Sequence, residues 1–145
     1  MSPPDASVPV SETVIEVRSP ELDSFGHVNH AVFLNYLEHA RYLKLEEAGF
    51  DWSSLDELGQ QIFVVRLEID YVAEATRGDR LLIRTWADAF RRTQMVFGQE
   101  IVRENDPDTV VARARVTGVW IGPSGRPTRV PEHVRRGLSG EGPAA

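Results

Sequence analysis

The chain has 145 residues, 41% of them hydrophobic, a formal net charge of -6 and no cysteine. That length suits one domain with a real core, and the absent cysteine excludes a disulfide framework, a thiolate nucleophile and any Cys-bearing zinc site. The acidic balance argues against general nucleic-acid binding, and no apolar run reaches the ~20 residues of a membrane span, so the expected location is the cytoplasm.

Residues 1–9 contain Pro and Ser and read as a disordered tail. Thr13-Val-Ile-Glu-Val-Arg18 is a β-branched run that predicts a strand, ended by Pro20. A polar loop follows from Glu21 to Asn29. A helix is predicted from about His30 to Ala48, with Asn29 as its N-cap and Gly49 at its C-terminal end. Its first half, Ala31-Val-Phe-Leu-Asn-Tyr-Leu, is apolar nearly all round, so the helix is expected to be buried.

Asp51–Gln60 reads as a connector with a turn of helix. From Phe63 the period changes to two: Phe63, Val65, Leu67, Ile69, Tyr71 and Ala73 alternate with their neighbours in a long half-buried strand. Arg77-Gly-Asp79 makes a turn, Arg80–Phe90 a strand, Arg91-Arg92 a tight connection, and Thr93 to about Glu104 another strand. Asn105-Asp-Pro-Asp108 signals a turn, and a further strand runs over Thr109–Ile121. The segment from Arg126 is short and basic, and residues 139–145 read as a flexible tail, leaving one domain over 10–138.

This order is an α+β arrangement: a five-stranded antiparallel sheet curled round one long central helix. One helix cannot cover such a sheet, so pairing with a second subunit is expected.

The segment with the most chemistry is Asp23-Ser-Phe-Gly-His27-Val-Asn29-His30. It places a carboxylate, two imidazoles and an amide just before a helix N-terminus, where free N–H groups and the dipole favour negative charge. A base or nucleophile beside an oxyanion site is what acyl transfer requires. Asp23 can attack a thioester carbonyl or activate a water. His27 can orient either one, and Asn29 can hold the helix start where the oxyanion must sit. Glu38 is placed to pair with Arg41 at i,i+3. The four histidines lack a metal-site spacing, so no metal is assigned.

Asp23-x-x-Gly26-His27-Val28-Asn29-His30, followed by Phe33-Leu-Asn-Tyr36-Leu-Glu38-x-Ala40-Arg41, resembles the hotdog-fold acyl-CoA thioesterases, closest to the 4-hydroxybenzoyl-CoA thioesterase-like branch. Gly125-Arg-Pro127-Thr-Arg129-Val-Pro131 is similar to that branch's last segment, and His27-Val-Asn29 resembles acyl-carrier-protein thioesterases of the same superfamily. The resemblance implies a hotdog fold and hydrolysis of an acyl-CoA or acyl-carrier-protein thioester, with no cofactor. It also implies a homodimer or homotetramer with sites at subunit interfaces.

By the same resemblance Asp23 is the nucleophile or base, and the backbone amides near His30 and Ala31 hold the oxyanion. Glu38 is a second candidate carboxylate, because some relatives place theirs on the helix. Phe25, Gly26 and Tyr36 are expected at the acyl group, and Arg91 and Arg92 at the phosphates of coenzyme A. Two other functions stay open: an enoyl-thioester hydratase or dehydratase, and a protein that binds acyl-CoA without turnover. The Asp-to-His spacing of four, with Gly26 before His27, favours hydrolysis.

Overall fold

The computed structural model describes residue 4 and residues 6–140. The elements are β1 (Ser11–Glu16), α1 (Val32–Glu47), α2 (Trp52–Glu57), β2 (Gln61–Tyr71), β3 (Arg80–Phe90), β4 (Gln94–Arg103), β5 (Asp106–Ile121) and α3 (Glu132–Ser139). The five strands form one antiparallel sheet in the order β1-β3-β4-β5-β2. This is the hotdog arrangement that the motif implies.

Helix α1 buries Phe33, Tyr36, Leu37, Ala40, Arg41, Lys44 and Leu45. Their i, i+3, i+4, i+7 spacing makes one stripe that faces the sheet. Asn35, Glu38, His39 and Glu46 are exposed, so within one chain the helix is covered on one side only. The expectation of a helix buried all round is not met, because the polar positions of its middle and last turns lie together on the uncovered side.

Two of the buried α1 residues are cationic. Arg41 is 8% exposed and donates to Gln99 Oε1 at 3.0 Å. Gln99 in turn donates from Nε2 to the Leu37 carbonyl at 2.9 Å and to Thr85 Oγ1 at 3.1 Å. The sequence-predicted Glu38–Arg41 ion pair does not form: the guanidinium turns inward to the sheet. Lys44 donates from Nζ to Ser11 Oγ at 3.0 Å and to the Pro9 carbonyl at 3.2 Å. These contacts pin the helix to β1, β3 and β4.

The outer face of the sheet carries a row of opposed charges across all five strands. Glu12 stands opposite Arg84, Arg84 opposite Glu100, Glu100 opposite Arg113, and Arg113 opposite Asp70. Arg84 and Arg113 both reach Glu100, at 3.5 and 3.4 Å. Such cross-strand pairs add roughly 0.2–1 kcal/mol each.

The basic C-terminal segment contains a helix that its charge disguises. In α3, Val134 and Leu138 are buried one turn apart, Pro131 precedes the first turn, and Gly140 ends the helix at φ 78°. Ser139 therefore belongs to α3, and Pro9 is held by Lys44; residues 1–3, 5 and 141–145 of the expected tails lie outside the described residues. Strand β5 begins at Asp106 rather than Thr109, because the turn into it tightens to Glu104-Asn105.

Replacing Gln99 with Leu should leave Arg41 buried without its acceptor. A loss of about 1.5–3 kcal/mol is expected from a hydrogen bond to a charged group, read from the urea midpoint; an unchanged midpoint would mean that the contact does not dock the helix.

Candidate active site

The Asp23 loop is closed by its own backbone. Asp23 N–H donates to the His27 carbonyl at 2.7 Å, and Gly26 N–H to the Asp23 carbonyl at 3.1 Å. Gly26 sits at φ 80°, where a side chain is strained, which explains the glycine. A bridge between Leu22 and Val28 seals the base of the loop. The Asp23 carboxylate is part of this structure: Oδ1 accepts from Phe25 N–H at 2.9 Å and from His27 N–H at 3.2 Å. Oδ2 has no hydrogen-bond partner among the described residues. Val28 N–H donates to the Ala75 carbonyl at 2.8 Å and His27 bridges Thr76, so the loop rests on the turn before β3.

Asn29 joins the loop to the helix, but not as the predicted N-cap. Its Oδ1 accepts from Ala31 N–H at 2.9 Å, and its carbonyl accepts from Val32 N–H at 2.9 Å. A turn thus intervenes before α1 starts at Val32. The Ala31 amide, expected to face an oxyanion, is already donated to Asn29. The His30 amide has no partner among the described residues, and the His30 carbonyl is fixed by the Tyr71 hydroxyl at 2.8 Å. The imidazoles of His27 and His30 are exposed. Phe25, at the loop tip, is 83% exposed.

Tyr36 is not an exposed wall for an acyl group. It is 4% exposed, its ring meets Phe33 edge-on at 5.9 Å, and its hydroxyl donates to Glu21 Oε1 at 3.0 Å. The same Oε1 accepts from Arg18 N–H at 2.8 Å, and the Glu21 carbonyl accepts from Asn29 N–H at 2.9 Å. Partial burial works to raise the Glu21 carboxyl, but the Arg18 amide, the Tyr36 hydroxyl and the Arg18 guanidinium outweigh it and hold it below the ordinary range. Burial and the Glu21 charge both push the Tyr36 hydroxyl well above its usual value. Glu21 carries no motif of its own in the sequence; only its place two residues before Asp23 could have drawn attention to it.

Glu38 lies elsewhere, on the wall of a cavity of about 740 Å³ between the second half of α1, α2 and the start of β2. Leu45, Phe50, Leu55, Ile62, Phe97 and Val116 give this cavity an apolar floor. Asp23 is not among its lining residues. Arg91 and Arg92 are exposed just past the end of β3, while the Asp23 loop rests on the turn just before β3 begins. Eleven residues of strand separate them, roughly 33 Å at the rise of a β-strand. Within one chain the structure therefore gathers Asp23, His27, Asn29 and His30, and leaves Glu38 and the arginine pair apart from them.

A carboxylate whose pKa is lowered by folding contributes stability above its unfolded value and loses it as pH falls. The Glu21 contribution should be complete above about pH 4.5 and fade below it. Urea midpoints measured from pH 6 to pH 3 should fall less steeply in Glu21→Gln than in the wild type; parallel curves would refute the assignment.

Residues 17–138 match the Thioesterase-like superfamily. Over 124 residues the chain is 32% identical to "Acyl-acyl carrier protein thioesterase ATL2, chloroplastic" of Arabidopsis thaliana, covering 86% of this chain and 65% of that protein. The chain thus spans a little under two thirds of that relative. With "Long-chain acyl-CoA thioesterase FadM" of Escherichia coli (strain K12) it shares 33% identity over 111 residues, 76% of this chain and 82% of the relative. The crystal structure of a Thermus thermophilus protein superposes with a TM-score of 0.81 at 31% identity, covering 89% of this chain and 97% of that one. The "YbaW Probable Thioesterase" of Escherichia coli gives 0.78 at 29% identity, with 88% and 96% covered. With its helix-wrapping sheet and its loop carboxylate at the helix start, the chain belongs to the Thioesterase-like superfamily.

Proposed function

We propose that this chain is a thioester hydrolase that cleaves an acyl-CoA or acyl-carrier-protein thioester to the free acid and the thiol. The observation that carries this reading is the Asp23 carboxylate, locked through Oδ1 by two backbone amides with Oδ2 left open, in the loop that leads to an unpartnered His30 amide. Asp23 either attacks the thioester carbonyl, expelling the thiolate and forming a mixed anhydride that water then hydrolyses to the free acid, or takes a proton from a water that attacks the carbonyl directly. In either route the carbonyl oxygen gains charge, and the His30 N–H with the positive end of α1 stabilises it. The thiolate is a good leaving group, so no strong general acid is needed. The relatives named as acyl-CoA and acyl-acyl-carrier-protein thioesterases support this chemistry.

The full site is a property of two protomers. β2 is an edge strand with one side unpaired, and Phe63, Val64 and Val65 on it are 54%, 51% and 57% exposed. An open apolar edge is a pairing surface. Antiparallel pairing of β2 about a two-fold axis sets the Tyr71 end of one strand beside the Gln61 end of its partner. Tyr71 holds the His30 carbonyl, and Gln61–Val65 line the cavity. The catalytic loop of one protomer thereby reaches the cavity of the other, whose volume lies within the range of small-molecule sites. The same rotation carries the partner's arginine hairpin to the Asp23 end, where it can hold the phosphates of the carrier. Zero cysteine content suits a reducing compartment, the cytoplasm.

Thiol release from a panel of acyl-CoA esters should show turnover without a change in enoyl absorbance, and Asp23→Asn should lose at least ~100-fold in rate. Wild-type turnover in that variant would remove Asp23 from the mechanism. Val65→Asp should give a monomer by light scattering that keeps its far-UV spectrum but loses activity; an active monomer would refute the shared site. Changing Arg91 and Arg92 together to Ala should raise KM for the CoA esters far more than it lowers kcat, whereas an unchanged KM would dissociate them from the substrate.

A further inference from the structure

One carboxylic residue at the loop takes no part in the proposed chemistry, yet it is hydrogen-bonded both to the end of the loop and to α1. Glu21 sits two residues before Asp23. Its carbonyl holds the Asn29 amide, one residue before the free His30 N–H. Its carboxylate holds the Tyr36 hydroxyl, on the buried face of α1. The nucleophilic carboxylate, the oxyanion amide and the helix that supplies the dipole are thus all referenced to this residue.

From this juxtaposition we infer that Glu21, acting through Tyr36, is a positioning residue for the hydrolysis: the pair sets the spacing between the Asp23 carboxylate and the His30 amide. The inference rests on the hydrolase reading above. Glu21 is a poor candidate for the base itself. Oε1 accepts from both Arg18 N–H and Tyr36, and Oε2 receives the Arg18 guanidinium at 3.4 Å. Asp23, by contrast, keeps Oδ2 open. Tyr36 suits the other half of the clamp because its ring is fixed by the core and its hydroxyl, once buried, needs an acceptor. Misplacement of reacting groups by about 1 Å can cost on the order of 100-fold in rate even from a site removed from the chemistry.

The test uses the full chain with Glu21→Ala, Glu21→Gln, Tyr36→Phe and the double variant Glu21→Ala/Tyr36→Phe, measuring kcat, KM and the pH profile of kcat on an acyl-CoA ester that the wild type turns over. Glu21→Ala and Tyr36→Phe should each lower kcat about 10- to 100-fold with KM little changed. The double variant should fall no further, since both changes break one contact. Glu21→Gln keeps an oxygen for Tyr36 and Arg18 and should retain most of the rate, with the acid limb of the profile unmoved. Should Glu21→Ala fail to fold, Tyr36→Phe and Glu21→Gln still decide the matter. Wild-type kcat in Tyr36→Phe, additive losses in the double variant, or a Glu21→Gln as inactive as Glu21→Ala would each overturn the inference. If Asp23→Asn is dead while Glu21→Ala is intact, only this inference falls; if the wild type releases no thiol, the hydrolase reading falls and this inference with it.

Discussion

A guanidinium withdrawn from water holds the central helix in place. Arg41 and the Leu37 carbonyl, one turn apart on α1, are both hydrogen-bonded to the single side chain of Gln99. A charge this deeply buried is costly unless its donors are met, so the helix cannot roll or slide without breaking the contact. Burial pulls the Arg41 guanidinium below its usual value, and the nearby Glu38 charge works against that. Ten residues separate Arg41 from Ala31, about 15 Å of helix, and a rod transmits its orientation over that length. The direction of the helix N-terminus is therefore set at a contact well removed from the Asp23 loop.

The surfaces are divided according to partner. On the outer face of the sheet the arginines meet carboxylates: Arg80 with Glu104, Arg84 and Arg113 with Glu100, Arg115 with Asp88. The arginines at the far end of the sheet differ. Among the described residues, Arg91, Arg92, Arg126 and Arg129 form no ion pair, although the chain as a whole is acidic. Val130 N–H donates to the Arg92 carbonyl at 2.9 Å and the Arg135 guanidinium donates to the Arg91 carbonyl, so two basic segments distant in sequence become one region. This is the region to which the proposed function assigns the anionic end of the acyl carrier.

What could be read from the sequence depended on the range of the interaction. Strand periodicity over Arg80–Phe90 and the long apolar run after the loop are local patterns, and the structure forms a strand and a helix there. Helix α3 was hidden because only Val134 and Leu138 stand out in a run dominated by charge and Gly137. The inward turn of Arg41 was illegible for a different reason: its acceptor lies 58 residues away, whereas Glu38 is a neighbour and looks like the natural partner. The Tyr36–Glu21 contact is illegible on the same ground, since an aromatic on an apolar helix does not announce a hydroxyl partner 15 residues upstream. Arg91 and Asp23 both suit the chemistry by type, but residue type says nothing about the strand length that separates them.

That separation bears on why the proposed function places the catalytic carboxylate in the loop. Glu38 is on a rigid helix and faces a cavity of suitable size, which favours it by position alone. However, the uncommitted backbone amide follows the Asp23 loop, not Glu38, and an amide aimed at developing charge is worth more to acyl transfer than a second carboxylate. Glu38 lies two helical turns beyond His30, about 12 Å along the axis, too far to share one carbonyl with the amide of its own chain. A two-fold pairing of β2 removes this conflict. In the proposed dimer the cavity wall of one protomer would meet the helix start of the other, so Glu38 would border the acyl group while Asp23 faced the thioester. In the proposed dimer, the open edge of the sheet is the element that joins the two half-sites.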